Sequence, residues 1–146
     1  MKPLLLCSLI TVLTLSSCHK KYDFPDPSLK KIVGKWNWIR TEGGISGVTF
    51  FPKADGSDAL SYEFTERALF IVRHAENKAK YRYEINQANS FISQQPAWFL
   101  SLHQTGLRKY KKVGVIENKI TFNGNDTLVL EMDAYDAQSL FFVREK

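Results

Sequence analysis

Apolar and polar residues alternate with a period of two along most of this chain, in short runs separated by turns. The first run is Ile32–Arg40, where alternation sets Gly34, Trp36, Trp38 and Arg40 on one face and Lys35, Asn37 and Ile39 on the other. Two indoles on one face are a large apolar load that has to be buried. Gly34 leaves room for a close approach by backbone or a ring. A glycine-rich connection follows (Gly43, Gly44, Gly47), then a short apolar run, Val48–Phe51. Ala59–Thr65 alternates again, with Leu60, Tyr62 and Phe64 on one face. Ala68–His74 is a further strand whose faces compete, Leu69 and Ile71 against Phe70 and Val72. Lys80–Ile85 sets Tyr81, Tyr83 and Ile85 inward. Asn86–Pro96 reads as a polar loop, and Ala97–His103 carries Trp98, Leu100 and Leu102 on one face.

Val113–Ile116 and Lys119–Phe122 form one bent strand or a small hairpin. Asn123-Gly124-Asn125-Asp126 is a strong turn signal. Thr127–Met132 then aligns Leu128, Leu130 and Met132, and Ser139–Arg144 aligns Leu140, Phe142 and Arg144. No amphipathic helix emerges. Short strands with turns every 8–12 residues predict an all-β sandwich or barrel. The run of sequential hairpins favours an eight-stranded antiparallel up-and-down β-barrel, whose closure leaves no exposed edge.

Composition agrees with strands: 10 Phe, 6 Tyr and 3 Trp in 146 residues enrich the chain in residues that suit a sheet. The length is enough for one domain with its own core.

Residues 1–17 stand apart from that domain. Lys2 precedes an apolar run from Leu4 to Leu15, too short to span a bilayer as a helix and typical of a secretion signal. The run ends Leu15-Ser16-Ser17-Cys18, which resembles the lipobox of bacterial lipoprotein signals. The resemblance implies cleavage before Cys18 and acylation of that residue. Cys7 leaves with the leader, so no disulfide remains and the domain holds together by burial. The organisation expected is a leader (1–17), a lipidated tether (18–28) stiffened by Pro25 and Pro27, and a barrel domain (29–146). The implied address is the bacterial envelope, on the periplasmic side of the outer membrane, with acyl chains as the membrane contact.

The net charge of +5 is spread along the chain, apart from Arg108-Lys109-Tyr110-Lys111-Lys112, which reads as a solvated hairpin loop. Neither this run nor the envelope address favours a nucleic-acid partner.

Gly34-Lys35-Trp36 opening the first strand resembles the Gly-x-Trp signature of lipocalins and calycins. Arg144 on the last strand stands where that family's terminal arginine packs across the tryptophan. The ordered set continues through the Gly-Gly loop, Glu63-Phe64-Thr65, Asn123 to Leu128 and Phe142-Val143-Arg144, and with the lipobox it resembles the lipocalin-like domains of bacterial lipoproteins, notably of the Bacteroidetes type. The resemblance implies a barrel closed at one end by Gly34, Trp36 and Arg144. The long helix that usually follows the barrel in eukaryotic lipocalins is missing here, as is a disulfide.

The interior is the candidate binding region. Trp38, Arg40, Tyr62, Phe64, Tyr81, Tyr83, Trp98, Leu100 and Leu128 are its candidate ligand contacts, with Leu60, Leu102 and Leu130 beside them, and Arg40 is placed to meet an acidic head group. An eight-stranded barrel is just wide enough for side chains to fill it or for one small ligand, and these same rings are able to pack it outright. His74 and His103 lie on strands with no acidic partner nearby in sequence, and neither a metal-ligand spacing nor a nucleophile motif is present. Asp126, Asp133 and Asp136 gather near two turns, the ordinary setting for aspartate. No catalytic residue, metal or cofactor is expected. Three functions remain, in this order: binding of a small apolar or amphiphilic ligand, binding of a protein partner at the rim, and last an enzyme.

Overall fold

In the computed structural model, residues 21–104 and 117–146 are described. The leader, Cys18, the basic run at 108–112 and Val113–Ile116 lie outside these residues. Eight strands in chain order, β1 (Gly34–Gly43), β2 (Leu60–Phe64), β3 (Leu69–His74), β4 (Asn77–Asn89), β5 (Pro96–Gln104), β6 (Asn118–Asn123), β7 (Thr127–Met132) and β8 (Gln138–Arg144), each pair antiparallel with the next. β8 returns to pair with β1, which closes the barrel. This is the all-β, eight-stranded up-and-down barrel that the alternation predicts.

Several boundaries move. Val48–Phe51 stays within the long connection after β1, where only Phe50 pairs, with Thr41 of β1. The loop expected at Asn86–Pro96 shrinks to residues 90–95, because β4 and β5 run on as a long hairpin. Competition between the faces of β3 resolves with Phe70 and Val72 inside, packed in the core, while Leu69 and Ile71 face out.

The proline-containing segment is not a free tether. Pro27 occupies the first turn of a short 3-10 helix, Pro27–Ile32, where its missing N–H costs nothing. Asp26 caps that helix by accepting from the Ser28 N–H at 2.7 Å. Leu29 and Ile32 are buried. Upstream, the Tyr22 N–H donates to the Glu66 carbonyl, the Ile85 N–H donates to the Tyr22 hydroxyl at 2.9 Å, and the Tyr22 ring packs on Phe24 and Tyr83. This segment thus packs onto the barrel through Tyr22, Phe24, Leu29 and Ile32.

One end of the barrel is sealed. Trp36 is fully buried and donates its indole N–H to the Ile32 carbonyl at 2.7 Å. The Arg144 guanidinium lies over the Trp36 ring at 4.2 Å and donates to the carbonyls of Lys31 and, at 2.9 Å, Val33. Gly34 makes this approach possible. It adopts φ +135°, and a Cβ there would sit 2.6 Å from Arg144 Nη1.

A bulge reorganises the other half of β1. Trp38 faces Phe142, but Arg40 faces Phe141, so Ile39 is an extra residue. A one-residue slip exchanges the two faces. Arg40 therefore does not point inward as strict alternation predicts; it lies outside, over the Phe141 ring at 3.9 Å and paired with Glu42. Thr41 takes the inward position and accepts from the Trp38 indole N–H at 3.0 Å.

The tip of the β4–β5 hairpin is tied to the turn between β7 and β8. Asp133 accepts from the Ser90 hydroxyl at 2.7 Å and from the N–H groups of Phe91 and Ile92. Burial pushes its carboxyl up, but these bonds and nearby Lys119 outweigh that and hold it below its ordinary value of 3.8. The folded protein therefore binds this proton more weakly than the unfolded chain. The stabilisation is complete above about pH 4 and fades as pH falls through the depressed value. In Asp133→Asn, the Phe91 and Ile92 amides are expected to exchange at least about tenfold faster at neutral pH. Unchanged protection would show that Asp133 does not hold the tip.

Candidate functional site

The inward side chains fall into two layers, and the register shows where the boundary runs. On β1, Trp36 is fully buried and Trp38 partly exposed. On β2, Phe64 is buried whereas Tyr62 and Leu60 are partly exposed. The same step runs from Phe70 to Val72 on β3, Tyr83 to Tyr81 on β4, Leu100 to Leu102 on β5, Leu130 to Met132 on β7 and Phe142 to Leu140 on β8. On each of these seven strands exposure rises in the same direction, away from Trp36. The barrel interior thus has a fully buried floor around Trp36 and, toward the other end, a partly exposed aromatic and aliphatic wall, called here the cup.

The floor is packed by rings. Tyr62 stacks on Phe142 at 4.4 Å and meets Phe70 edge-on at 4.9 Å, and Phe64 packs against Phe70 and Tyr83. Tyr83 ends its hydroxyl on the Thr65 carbonyl at 2.8 Å. Burial, more than any neighbouring charge, raises its pKa. Tyr62 lies at the boundary. Its hydroxyl is pushed up to about 12, first by burial and then by Tyr81 beside it. It stays protonated at neutral pH, a neutral donor and acceptor facing the wall of the cup.

This arrangement divides the candidate ligand contacts. Trp38, Tyr62 and Tyr81 line the cup together. Phe64, Tyr83, Leu100 and Leu128 belong to the floor, each 2% exposed or less, and support the wall from below. Trp98 packs partly buried against the core, on the hairpin-tip side of Leu100. Arg40 lies outside the barrel. Thr41, Val72 and Leu140 were not among the sequence candidates. The bulge conceals Thr41, and the evenly apolar β3 conceals Val72. Leu140 alone stood on a face that alternation already marked.

The rim of the cup is unusually apolar. The exposed large hydrophobic residues among those described are Ile45, Val48, Phe50, Phe51, Phe91, Ile92, Met132 and Tyr135, with Ile45 at 91% and Tyr135 at 82%. The first four belong to the loop after β1. Of the other four, Met132 ends β7, Tyr135 is in the β7–β8 turn, and Phe91 and Ile92 are in the hairpin tip tied to it, where Phe91 and Tyr135 meet edge-on at 5.3 Å. The Gly44 N–H donates to the Ala137 carbonyl, which joins the two groups at the open end.

Polar chemistry is sparse by comparison. His103 pairs with Glu84 at 3.4 Å on the outer wall. Asp133 is engaged by the hairpin tip. Among the described residues no group of three or more His, Cys, Asp or Glu side chains is placed to hold a metal ion.

Comparison of the chain with protein-family models, with curated proteins and with solved structures finds no match.

Proposed function

We propose that this protein is a lipid-anchored, lipocalin-like barrel of the bacterial envelope whose cup takes a small apolar or amphiphilic molecule. One observation carries the reading: on seven strands, burial gives way to exposure in the same direction, so the inner wall around Trp38, Tyr62 and Tyr81 is partly exposed. Exposed aromatic surface in a concavity with a rigid floor favours an apolar ligand, because its burial removes that surface from water. The resemblance of Gly34-x-Trp36 and Arg144 to the closing residues of lipocalins supports the same reading, as does the lipobox-like Leu15-Ser16-Ser17-Cys18. The described chain begins at the sealed end, where Tyr22 pairs with Glu66 of the β2–β3 turn. Acyl chains on Cys18 would hold that end near the bilayer and leave the mouth facing away from it. The reading is of a binding protein, without a catalytic role.

Native mass spectrometry of the full chain extracted from bacterial membranes tests both halves. The expected spectrum shows an acylated N-terminal cysteine and a second, non-covalent mass that leaves on activation. A chain still carrying residues 1–17 overturns the anchor; a single ligand-free mass that also takes up no added apolar probe overturns the cup.

The apolar rim favours a second reading, a module whose loops bind a protein partner. Exposed apolar patches of this kind mark interaction sites on soluble domains. That reading predicts a bound polypeptide mass instead of a small one.

A further inference from the structure

The barrel wall has a gap beside the cup. Pairing between β1 and β2 stops at Asn37 and Ser61, although β1 runs on to Gly43. Past that point the bulge at Ile39 re-aims β1, and at Thr41 its free edge is taken by Phe50 of the loop. A slit of about 310 Å³ remains, lined by Asn37, Trp38, Pro52, Leu60, Ser61 and Arg73 among others. Trp38 and Leu60 belong to the inner face, so the slit reaches the wall of the cup between these two side chains. Asn37, Ser61 and Arg73 belong to the outer face.

The outer lip carries unspent donors. Asn37, Ser61, Arg73 and Lys78 form one cross-strand row, each opposite the next. Arg73 gives Nη2 to Glu63 at 2.6 Å, which fixes the guanidinium. Its Nη1 is buried with no hydrogen-bond partner. A buried donor in that state is costly until an acceptor arrives. Neither the Asn37 amide nor the Ser61 hydroxyl makes a side-chain hydrogen bond among the described residues. Arg73 and Lys78 against Glu63 leave the row positive.

We propose that this slit takes the head group of an anionic amphiphile, a carboxylate or a phosphate monoester, and that its tail passes between Trp38 and Leu60 into the cup. The proposal rests on the cup binding an apolar chain and adds the charge that the chain carries. Arg73 is the recognising residue: its Nη1 donates to the oxyanion while Glu63 holds the guanidinium plane from the other side. Ser61 and Asn37 supply further donors. An uncharged head of the same size leaves Nη1 less well satisfied and gains nothing from the positive row.

Titration of the full chain with decanoate, decyl phosphate and decan-1-ol, read by calorimetry and by Trp fluorescence, tests this. At least one anion is expected to bind about tenfold or more tightly than the alcohol, as a charge-assisted bond requires, and the tighter of the two identifies the head group. In Arg73→Gln that advantage disappears; in Arg73→Lys part of it returns. Glu63→Gln breaks the same ion pair yet is expected to tighten the anions, since it removes a competing negative charge. The opposite signs separate recognition from damage to the fold. Equal binding of anions and alcohol by the parent protein, or an anion advantage that survives in Arg73→Gln, overturns the proposal and leaves the cup standing. No binding of any of the three overturns the cup as well.

Discussion

Replacing Trp36 with alanine is expected to lower the unfolding free energy by about 3–5 kcal/mol, the range for truncating a large buried aromatic. The side chain is fully buried, so all of its transfer free energy is at stake, and a cavity is left at the narrow end where the surrounding strands are held by their own pairing. Two further losses add to this. The Ile32 carbonyl loses its indole donor, and the Arg144 guanidinium loses the ring beneath it. Urea unfolding with the m-value checked measures the effect. A midpoint within error of the parent would show that the indole does not close the barrel.

Substitution of Gly34 by alanine adds a single methyl group, yet it is expected to cost about 1–3 kcal/mol for the backbone alone, because φ +135° belongs to a region that is essentially reserved for glycine. The new Cβ also meets Arg144 Nη1 at 2.6 Å, so the guanidinium has to leave the indole or the strand has to move. Near-ultraviolet circular dichroism reports the displacement through Trp36, and urea unfolding reports the cost. The double variant Gly34→Ala/Trp36→Ala is expected to lose less than the sum of the two, since both act through the same guanidinium. Strict additivity would mean that the glycine serves only its own turn.

The closed barrel was legible in the sequence because it depends on period-two patterning, whereas the seal of Arg144 over Trp36 was legible only through the resemblance of Gly34-x-Trp36 and Arg144 to the closing residues of lipocalins. Trp36 has to be buried, and Gly34 beside it has to make room for something. Arg40 was misplaced for the opposite reason. A bulge changes the face of every residue beyond it, and Ile39 carries no chemical mark that distinguishes an inserted residue from a paired one. The floor and the wall of the cup were not separable either. Phe64 and Tyr62 stand on one face of one strand, and only the closed geometry decides which of them meets water. Arg73 left no trace at all, being an ordinary basic residue on an outward position until the gap beside it is known. The segment before Leu29 misled through composition: Pro25 and Pro27 suggested a spacer, whereas the aromatic rings of Tyr22 and Phe24 already offered something to bury.

The contact between Arg144 and the Val33 carbonyl spans 111 residues of chain. During synthesis, no nascent fragment that stops short of β8 contains a finished cylinder, because the strand that joins β7 to β1 is the last of the eight to emerge. Until β8 arrives, the edges of β1 and β7 stand open. The contact that seals the barrel thus also postpones its closure until the eighth strand has been made.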